Sequence, residues 1–218
     1  MLLEKIYDNR RSDSWAGRLR SQRIAFLNSL IRSVPKPIKI LDLGGRPDFW
    51  QNSAFLALNH SDVEITFLNI EPVDHPNYRC LIGDARNLAR FKDNEFDVVF
   101  SNSVIEHLGD YKEQRKMAQE IQRVGQRYFV QTPNRYFPIE PHFLFPFFQF
   151  LPIKIKVWLL THFNMGWYPK MSQEEARDLA VNTQLLSRQQ FLALFPQANL
   201  YEEKVAGLTK SFITYDGW

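Results

Sequence analysis

The chain has little of several features that would point to particular protein classes. Cys80 is the only cysteine among 218 residues, which excludes a disulfide within the chain and a zinc site built on paired cysteines. The net charge is only +3, and the lysines and arginines are scattered, so no surface typical of nucleic-acid binding is predicted. The N-terminal segment has acidic residues and lacks the apolar core of a signal peptide. We therefore expect a cytoplasmic protein that does not bind nucleic acid.

Long hydrophobic runs are also absent. The longest candidate, residues 143–160, is rich in phenylalanine but is interrupted by two prolines, a glutamine and two lysines. A membrane-spanning helix needs about 20 continuous apolar residues, so we predict no membrane span. Lys154 and Lys156 lie among apolar residues and leave open a weaker alternative, contact of this segment with an anionic membrane surface.

The sequence does contain short apolar runs that alternate with helical or turn-rich stretches. Helices are predicted at about 14–33, 49–58 and 111–124 and from Ser187, and strands at about 38–43, 64–70, 78–82, 96–101 and 127–132. This alternation is typical of a parallel sheet with helices on both faces. Such sheets bind their ligands beyond the carboxyl ends of the strands, which is where functional residues are expected.

The end of the chain predicts a reversal of strand direction. Two further strands, at about 199–206 and 210–215, are joined by too few residues for a helical crossover and must pair antiparallel. The expected fold is an α/β, three-layer, Rossmann-like sheet of seven strands, mostly parallel, with an antiparallel last strand. We expect a single domain with an N-terminal helical cap (1–37), a cofactor-binding core (38–135), an aromatic-rich helical insert (136–186), and a closing helix with two strands (187–218).

Small or polar residues stand at the end of each of the first four predicted strands. In chain order they are Asp42, Gly44 and Gly45, then Glu71, then Asp84 and Ala85, and then Ser101 and Asn102. The glycines allow the backbone to pass close to a ligand. An acid at the end of the second strand suits hydrogen bonds to ribose hydroxyls. Each residue alone is an ordinary turn residue, but their order along successive strands predicts a nucleotide-like cofactor.

The glycine loop indicates which cofactor is meant. A dinucleotide site requires G-x-G-x-x-G for its pyrophosphate, whereas the corresponding window here, GGRPDF, lacks the second and third glycines. Asp42 stands just before this loop, where a carboxylate would repel phosphate and attract an ammonium group. S-Adenosylmethionine carries an ammonium and a sulfonium but no phosphate. The charge pattern therefore favours S-adenosylmethionine over a nicotinamide dinucleotide.

The segments ILDLGG, NIEP, GDARNL, FDVVFSNSVIEHL and YFVQTPNRYFPIEPHF together resemble the class I S-adenosylmethionine-dependent methyltransferases, in particular the small-molecule branch (type 11/23-like). The resemblance covers roughly residues 38–142. It implies the following contacts: Asp42, Gly44 and Gly45 with the methionine moiety, Glu71 with the ribose, Asp84 and Ala85 with the adenine, and Ser101 and Asn102 beneath the cofactor. The chain departs from the family at Arg46, which replaces a glycine. Its side chain either turns away from a wider loop or pairs with the cofactor carboxylate.

The candidate catalytic residues are His142, His107 and Glu140. Methyl transfer is an in-line displacement that depends mainly on positioning, and a hydroxyl acceptor would gain from a general base. His142 follows the fifth strand, on the expected acceptor side, and an imidazole titrates near neutrality. The alternatives are that His142 caps or packs against the next helix, that His107 braces the fourth strand's loop, and that Glu140 orients His142 or is solvated.

We predict an enzyme that methylates a small-molecule or lipid-like acceptor at oxygen or carbon. SNSV stands where enzymes that methylate amino groups carry an NPPY-type stretch, which disfavours that chemistry. Two alternatives stay open: a non-catalytic cofactor-binding or scaffolding protein, suggested by Arg46, and a nicotinamide-dependent oxidoreductase, which would need the missing glycines. The aromatic block at about 136–168 forms either a packed insert or a lid over the acceptor. No metal site is predicted, and the acceptor and the oligomeric state are left open.

Overall fold

The computed structural model describes residues 15–51 and 62–218. Its helices are α1 (Trp15–Ile31), α2 (Pro47–Gln51), α3 (Tyr111–Val124), α4 (Ile153–His162), α5 (Gln173–Asn182) and α6 (Arg188–Leu194). Its strands are β1 (Ile38–Leu43), β2 (Val63–Asn69), β3 (Arg79–Ile82), β4 (Val98–Asn102), β5 (Tyr128–Pro133), β6 (Ile139–Glu140), β7 (Phe145–Pro146), β8 (Asn199–Val205) and β9 (Leu208–Asp216).

Seven strands form one sheet in the order β3-β2-β1-β4-β5-β9-β8. Strands β1 to β5 are parallel, and β9 is antiparallel to both of its neighbours. The predicted α/β fold and the antiparallel pairing of the closing strands are confirmed. The order reverses between β1 and β4, so the carboxyl ends of these two strands flank the crevice where such sheets bind ligands.

Side chains of β1 alternate between the two faces of the sheet, as the geometry of a strand requires. Ile38 and Ile40 pack in the hydrophobic cluster beneath α1, whereas Leu41 and Leu43 pack in the cluster that contains the buried face of α3. Every residue of β1 except Lys39 is buried, which is typical of a central parallel strand. Asp42 is thus a carboxylate on a fully covered strand.

The predicted amphipathic helices are confirmed. α3 spans the predicted residues 111–124 and begins at an N-cap, Asp110, whose side chain accepts hydrogen bonds from two backbone amides. α6 begins after Ser187, which forms a capping box. The helix predicted at 49–58 begins earlier, at Pro47, because proline suits the first helical position. The part of that prediction after Gln51 lies outside the described residues.

The insert between β5 and α6 builds a hydrophobic cluster of its own. The buried members of this cluster are Phe143, Phe148, Leu160, Met165, Ala176 and Ala180. The short hairpin of β6 and β7 within the insert was not predicted, because its prolines and two-residue strands give no periodic pattern. Among the described helices, none has the length and apolar character needed to cross a bilayer.

Candidate active site

The loop after β1 is built around a buried carboxylate. Asp42 is completely buried, and its Oδ2 accepts a 2.5 Å hydrogen bond from Nε1 of Trp50. Burial raises the pKa of Asp42 to about 7, although the bonds from Trp50 and from the backbone of Gly45 lower it. A Cβ built on Gly45 would collide with the Asp42 carboxylate. The second glycine of the loop is therefore required by the packing of Asp42.

The remaining parts of this loop leave one polar atom without a partner. Among the described residues, Oδ1 of Asp42 is buried and accepts no hydrogen bond. Gly44 has φ +76°, and its amide donates a 2.9 Å bond to the carbonyl of Leu68, which ties the loop to β2. Arg46 is exposed while Pro47 is buried, which agrees with an arginine side chain turned away from the loop. A contact of Arg46 with the cofactor carboxylate stays a prediction.

The two acids predicted to contact ribose and adenine differ in their surroundings. Glu71 is exposed just beyond the end of β2. Asp84 is held by Arg86, whose Nε and Nη2 lie 2.9 and 2.5 Å from Oδ2 of Asp84. Hydrogen bonds from Arg86 lower the pKa of Asp84, so this carboxylate is ionised at neutral pH. An adenine amino group would have to share Asp84 with Arg86, and Ala85 beside it is buried.

At the end of β4, Asn102 is fixed from the N-terminal helix. Its Oδ1 accepts a short hydrogen bond from Nη1 of Arg23. The other nitrogens of that guanidinium bind both carboxylate oxygens of Glu203 on β8, at 2.9 and 2.5 Å. Ser101 is completely buried, and its Oγ has no hydrogen-bond partner among the described residues. Asn102 is thus positioned by a paired arginine, while Ser101 lies within the sheet.

The structure brings His142 and Glu140 together on the hairpin of β6 and β7. Nδ1 of His142 lies 2.6 Å from Oε1 of Glu140, and the backbone amides of His142 and Phe143 both donate to Oε2 of Glu140 at 2.8 Å. Because Glu140 accepts all three bonds, it fixes both the backbone and the ring of His142. Burial lowers the pKa of His142, but the hydrogen bond to Glu140 and the charges of Glu140 and Glu106 outweigh it and raise the pKa above its usual value.

Glu106, on the turn after β4, faces His142 from the opposite side. Its carboxylate is completely buried, Oε2 accepts a 3.0 Å bond from the hydroxyl of Thr132, and Oε1 lies 3.8 Å from Nε2 of His142. Burial raises the pKa of Glu106 to about 7, against the opposing effect of His142. His107 packs perpendicular to His142 with ring centroids 4.6 Å apart. Burial, with the adjacent His142, lowers the pKa of His107 to about 3, so this imidazole is neutral.

A cavity of about 200 Å³ lies beyond the carboxyl ends of β4 and β5. Side chains from α1, β4, β5, the insert and β9 line it, among them Arg20, Arg23, Asn102, His142, Trp167 and Lys210. The insert contributes His142 and Trp167, so it forms one wall of this cavity as the lid interpretation requires. Asn102 and His142, both candidates from the sequence, therefore line one cavity.

The sequence analysis missed the cationic wall of this cavity. Arg20 and Arg23 are three residues apart, so they lie at neighbouring positions on one face of the helix. This spacing is visible in the sequence, but only the apolar face of the helix was considered. Lys210 belongs to β9 and gave no local signal. Glu106 follows the fourth strand beside His107, and this local position does not predict that its carboxylate is completely buried.

Comparison with known proteins agrees with the fold. Residues 50–127 match the family model described as a methyltransferase domain. The CurJ carbon methyltransferase superposes with a TM-score of 0.58 at 14% identity, covering 92% of this chain and 54% of that one. The PH0226 protein from Pyrococcus horikoshii OT3 superposes with a TM-score of 0.53 at 16% identity, covering 99% of this chain and 97% of that one. An S-adenosylmethionine-dependent methyltransferase from Aquifex aeolicus superposes with a TM-score of 0.50 at 12% identity, covering 91% of this chain and 90% of that one.

These similarities support the fold and leave the acceptor open. At such low identity, the similarity to the solved structures shows a common fold and no more. The chain spans 66% of the length of one of these structures and 54% of the length of the CurJ enzyme. No curated protein matches the chain. The family match and the fold agree with the methyltransferase resemblance seen in the sequence.

Proposed function

We propose that this chain is a class I S-adenosylmethionine-dependent methyltransferase, as its partial match to a methyltransferase domain and its fold support, and that it methylates oxygen or carbon of a small acceptor that carries an acid group. The observation that carries the proposal is the cavity at the ends of β4 and β5, which is lined by cations. Its volume of about 200 Å³ lies below the roughly 300–1,000 Å³ of pockets for drug-sized ligands. A small acceptor fits this space better than a lipid or a macromolecule does.

The loop around Asp42 fits the expected cofactor. The unpartnered, buried Oδ1 of Asp42 is a site for a cation or a hydrogen-bond donor, and an α-ammonium group supplies both. The absence of a side chain at Gly45 leaves the space that the Asp42 carboxylate occupies. Exposed Glu71 leaves its oxygens available for ribose, whereas an adenine amino group would share the partly exposed Asp84 with Arg86. The predicted cofactor contacts are therefore retained as proposals.

The cations of the cavity differ in how well they are neutralised. Arg23 is paired with Glu203 through two bonds. Burial, and after it the charge of Arg23, lower the pKa of both Arg20 and Lys210, and Glu203 opposes the shift of Lys210. Among the described residues, neither Arg20 nor Lys210 forms a salt bridge. Arg20 lies 5.0 Å from the ring of Phe49 on α2, beside the glycine loop, whereas Lys210 lies on β9. We assign Arg20 to the cofactor carboxylate and Lys210 to an acid group of the acceptor.

The chemistry requires few groups from the protein. S-Adenosylmethionine supplies the methyl group, whose bond to sulfur breaks as the acceptor atom forms its own bond to carbon, with the electron pair passing to sulfur. The chain holds Asn102 through Arg23, and it holds His142 through Glu140, so the cavity is preorganised. Whether His142, His107 or Glu140 acts as a general base stays a prediction.

The test is methyl transfer to a panel of small hydroxy acids and phenolic acids, each compared with its neutral amide. The readout is label from methyl-labelled S-adenosylmethionine, together with formation of S-adenosylhomocysteine. We expect label in acid-bearing small molecules. Lys210→Met should lower kcat/KM for such an acceptor by at least 10-fold and leave the Kd for S-adenosylhomocysteine unchanged. Lys204→Met, which removes an exposed lysine of β8, is the matched control.

Three outcomes would count against the proposal. Equal methylation of acids and amides would exclude the acid-binding role of Lys210. Label found only in protein or RNA fractions would exclude a small acceptor. Binding of S-adenosylhomocysteine with no transfer to any acceptor tried would favour the alternative of a non-catalytic cofactor-binding protein.

A further inference from the structure

We propose that Glu106, His107 and His142 form a binding site for a divalent transition-metal ion such as Zn²⁺ or Co²⁺. The three residues come from two separate parts of the chain, the turn after β4 and the hairpin of the insert. Each offers one ligand atom, and the three atoms all lie within 4.8 Å of one another. Donors on one Zn²⁺ lie roughly 3–3.5 Å apart, given bonds of about 2.0–2.2 Å. Small side-chain movements would therefore close the site around an ion.

The carboxylate of Glu106 has one oxygen to spare for a metal. Thr132 holds Oε2, whereas Oε1 is buried and has no hydrogen-bond partner among the described residues. This free oxygen is the one directed at Nε2 of His142, at 3.8 Å. That distance is too long for a hydrogen bond. A buried carboxylate oxygen without a partner is costly, and a cation placed between it and the imidazole would satisfy it.

The outer contacts of His142 match those of a metal ligand. Histidines that bind metals through one ring nitrogen usually donate the other N–H to a carboxylate, which fixes the tautomer and the ring orientation. Nδ1 of His142 makes such a contact with Glu140 at 2.6 Å, and Glu140 is itself held by two backbone amides. Glu140 is thus a positioning residue, and Nε2 of His142 is presented to Glu106.

The composition of the cluster indicates the class of metal. Two imidazoles and one carboxylate are the ligand set of many catalytic zinc sites, which keep a further position open. The same set also suits other first-row divalent ions. Mg²⁺ and Ca²⁺ prefer oxygen ligands, so they are disfavoured here.

The part that such an ion would play in methyl transfer rests on the proposed function, whereas the binding of the ion to the three side chains does not depend on that function. His142 lines the cavity assigned to the acceptor. An ion at this place would bind an acceptor oxygen and stabilise its deprotonated form. His142 would then act as a ligand and not as the general base considered from the sequence.

The experiment is titration of the purified, tag-free chain with Co²⁺ and Zn²⁺, followed by calorimetry and by the visible absorption of Co²⁺. We expect one ion per chain, displacement of Co²⁺ by Zn²⁺, and binding of Mg²⁺ at least 100-fold weaker. Glu106→Gln and His142→Gln should each weaken Zn²⁺ binding by at least 100-fold. Glu140→Gln should weaken it by roughly 10- to 100-fold, as loss of an outer contact does. His162→Gln, an exposed histidine of α4, should leave it unchanged.

Binding of S-adenosylhomocysteine is measured on the same samples, which separates this proposal from the proposed function. If the cofactor product binds but the wild-type chain takes up no Co²⁺ or Zn²⁺, the metal site is wrong and the methyltransferase assignment stands. Equal Zn²⁺ affinity in wild type, Glu106→Gln and His142→Gln would also overturn it. If those variants fail to fold, the wild type still decides: adding Zn²⁺ should slow the modification of His107 and His142, but not of exposed His162, by diethyl pyrocarbonate. Equal rates for His107 and His142 with and without Zn²⁺ refute the site.

Discussion

Asp42 and Glu106 are two carboxylates buried at the same edge of the sheet in nearly the same condition. Burial raises the pKa of each to about 7. In each, one oxygen accepts a hydrogen bond from a neighbouring side chain, Trp50 or Thr132, and the other has no partner among the described residues. They differ in what faces the free side: a glycine loop closes over Asp42, whereas two histidines surround Glu106.

This difference separates the cofactor side of the site from the acceptor side. Around Asp42 the partners are an indole and backbone, which fix a loop and leave a single acceptor for a cationic or donor group of a ligand. Around Glu106 the partners are titratable imidazoles with lone pairs of their own, which suit a metal ion. The same burial of a carboxylate therefore serves two different ligands.

The largest expected effect concerns the pH dependence of stability in the absence of ligands. The pKa of Asp42 is about 7 in the folded chain and 3.8 as its ordinary value. Between these values the folded chain holds a proton that the unfolded chain releases, so the free energy of unfolding should fall as pH rises from about 4 to about 7. A shift of three units corresponds to up to roughly 4 kcal/mol. Asp42→Asn should make this part of the curve less steep, while Glu106, whose pKa is also raised to about 7, keeps part of the slope; the measurement is urea unfolding at several pH values.

Glu64→Gln, at an exposed position of β2, is the control for that measurement and should follow the wild-type curve. Parallel curves for wild type and Asp42→Asn would show that Asp42 is ionised in the folded chain across the whole range. The comparison with Glu106 would then be wrong, because the pKa of Asp42 would not be raised as the pKa of Glu106 is.

The next effect is smaller and tests the loop that separates the two regions. Gly45→Ala places a methyl group against the Asp42 carboxylate, which should destabilise the chain by about 2–3 kcal/mol, as overpacking does. It should also weaken S-adenosylhomocysteine binding by at least 10-fold. Gly207→Ala is the control, because no atom lies within 4 Å of a Cβ there, and its φ of +81° costs about 1 kcal/mol. Unchanged cofactor affinity in Gly45→Ala would mean that the loop does not contact the ligand.

The two regions also differ in how far the sequence could predict them. Asp42 and Gly45 are three residues apart, at the end of a strand and in the turn that follows it. Local sequence patterns were therefore sufficient to predict that the two residues lie close together. The mostly parallel sheet was likewise predicted from the alternation of elements, and the antiparallel closing strands from their short connection, whereas the order of the strands in the sheet was not predicted. Trp50 was not identified as the partner of Asp42, because no local pattern shows that an indole of the following helix turns back toward the strand.

The region around Glu106 could not be assembled from local patterns. His142 lies 36 positions along the chain from Glu106, and the two meet only because an insert folds back through a hairpin whose strands have two residues each. Lys210 joins the same cavity from the last strand of the sheet. Such contacts depend on tertiary packing, and for this reason the sequence suggested single histidines where the structure contains a cluster.

The smallest expected effect compares the two hydrogen-bond donors directly. Thr132→Val removes a donor to a buried carboxylate with little change in shape, and Trp50→Phe removes one while also replacing a buried indole by a smaller ring. The lost hydrogen bond should lower the free energy of unfolding by about 1–2 kcal/mol in each variant. The cofactor distinguishes them: Trp50→Phe should weaken S-adenosylhomocysteine binding several-fold, because Asp42 belongs to the loop. Thr132→Val should change it by less than twofold while weakening Zn²⁺ binding. If both variants affect both ligands equally, the two carboxylates act as one coupled site, and the division between cofactor side and acceptor side is wrong.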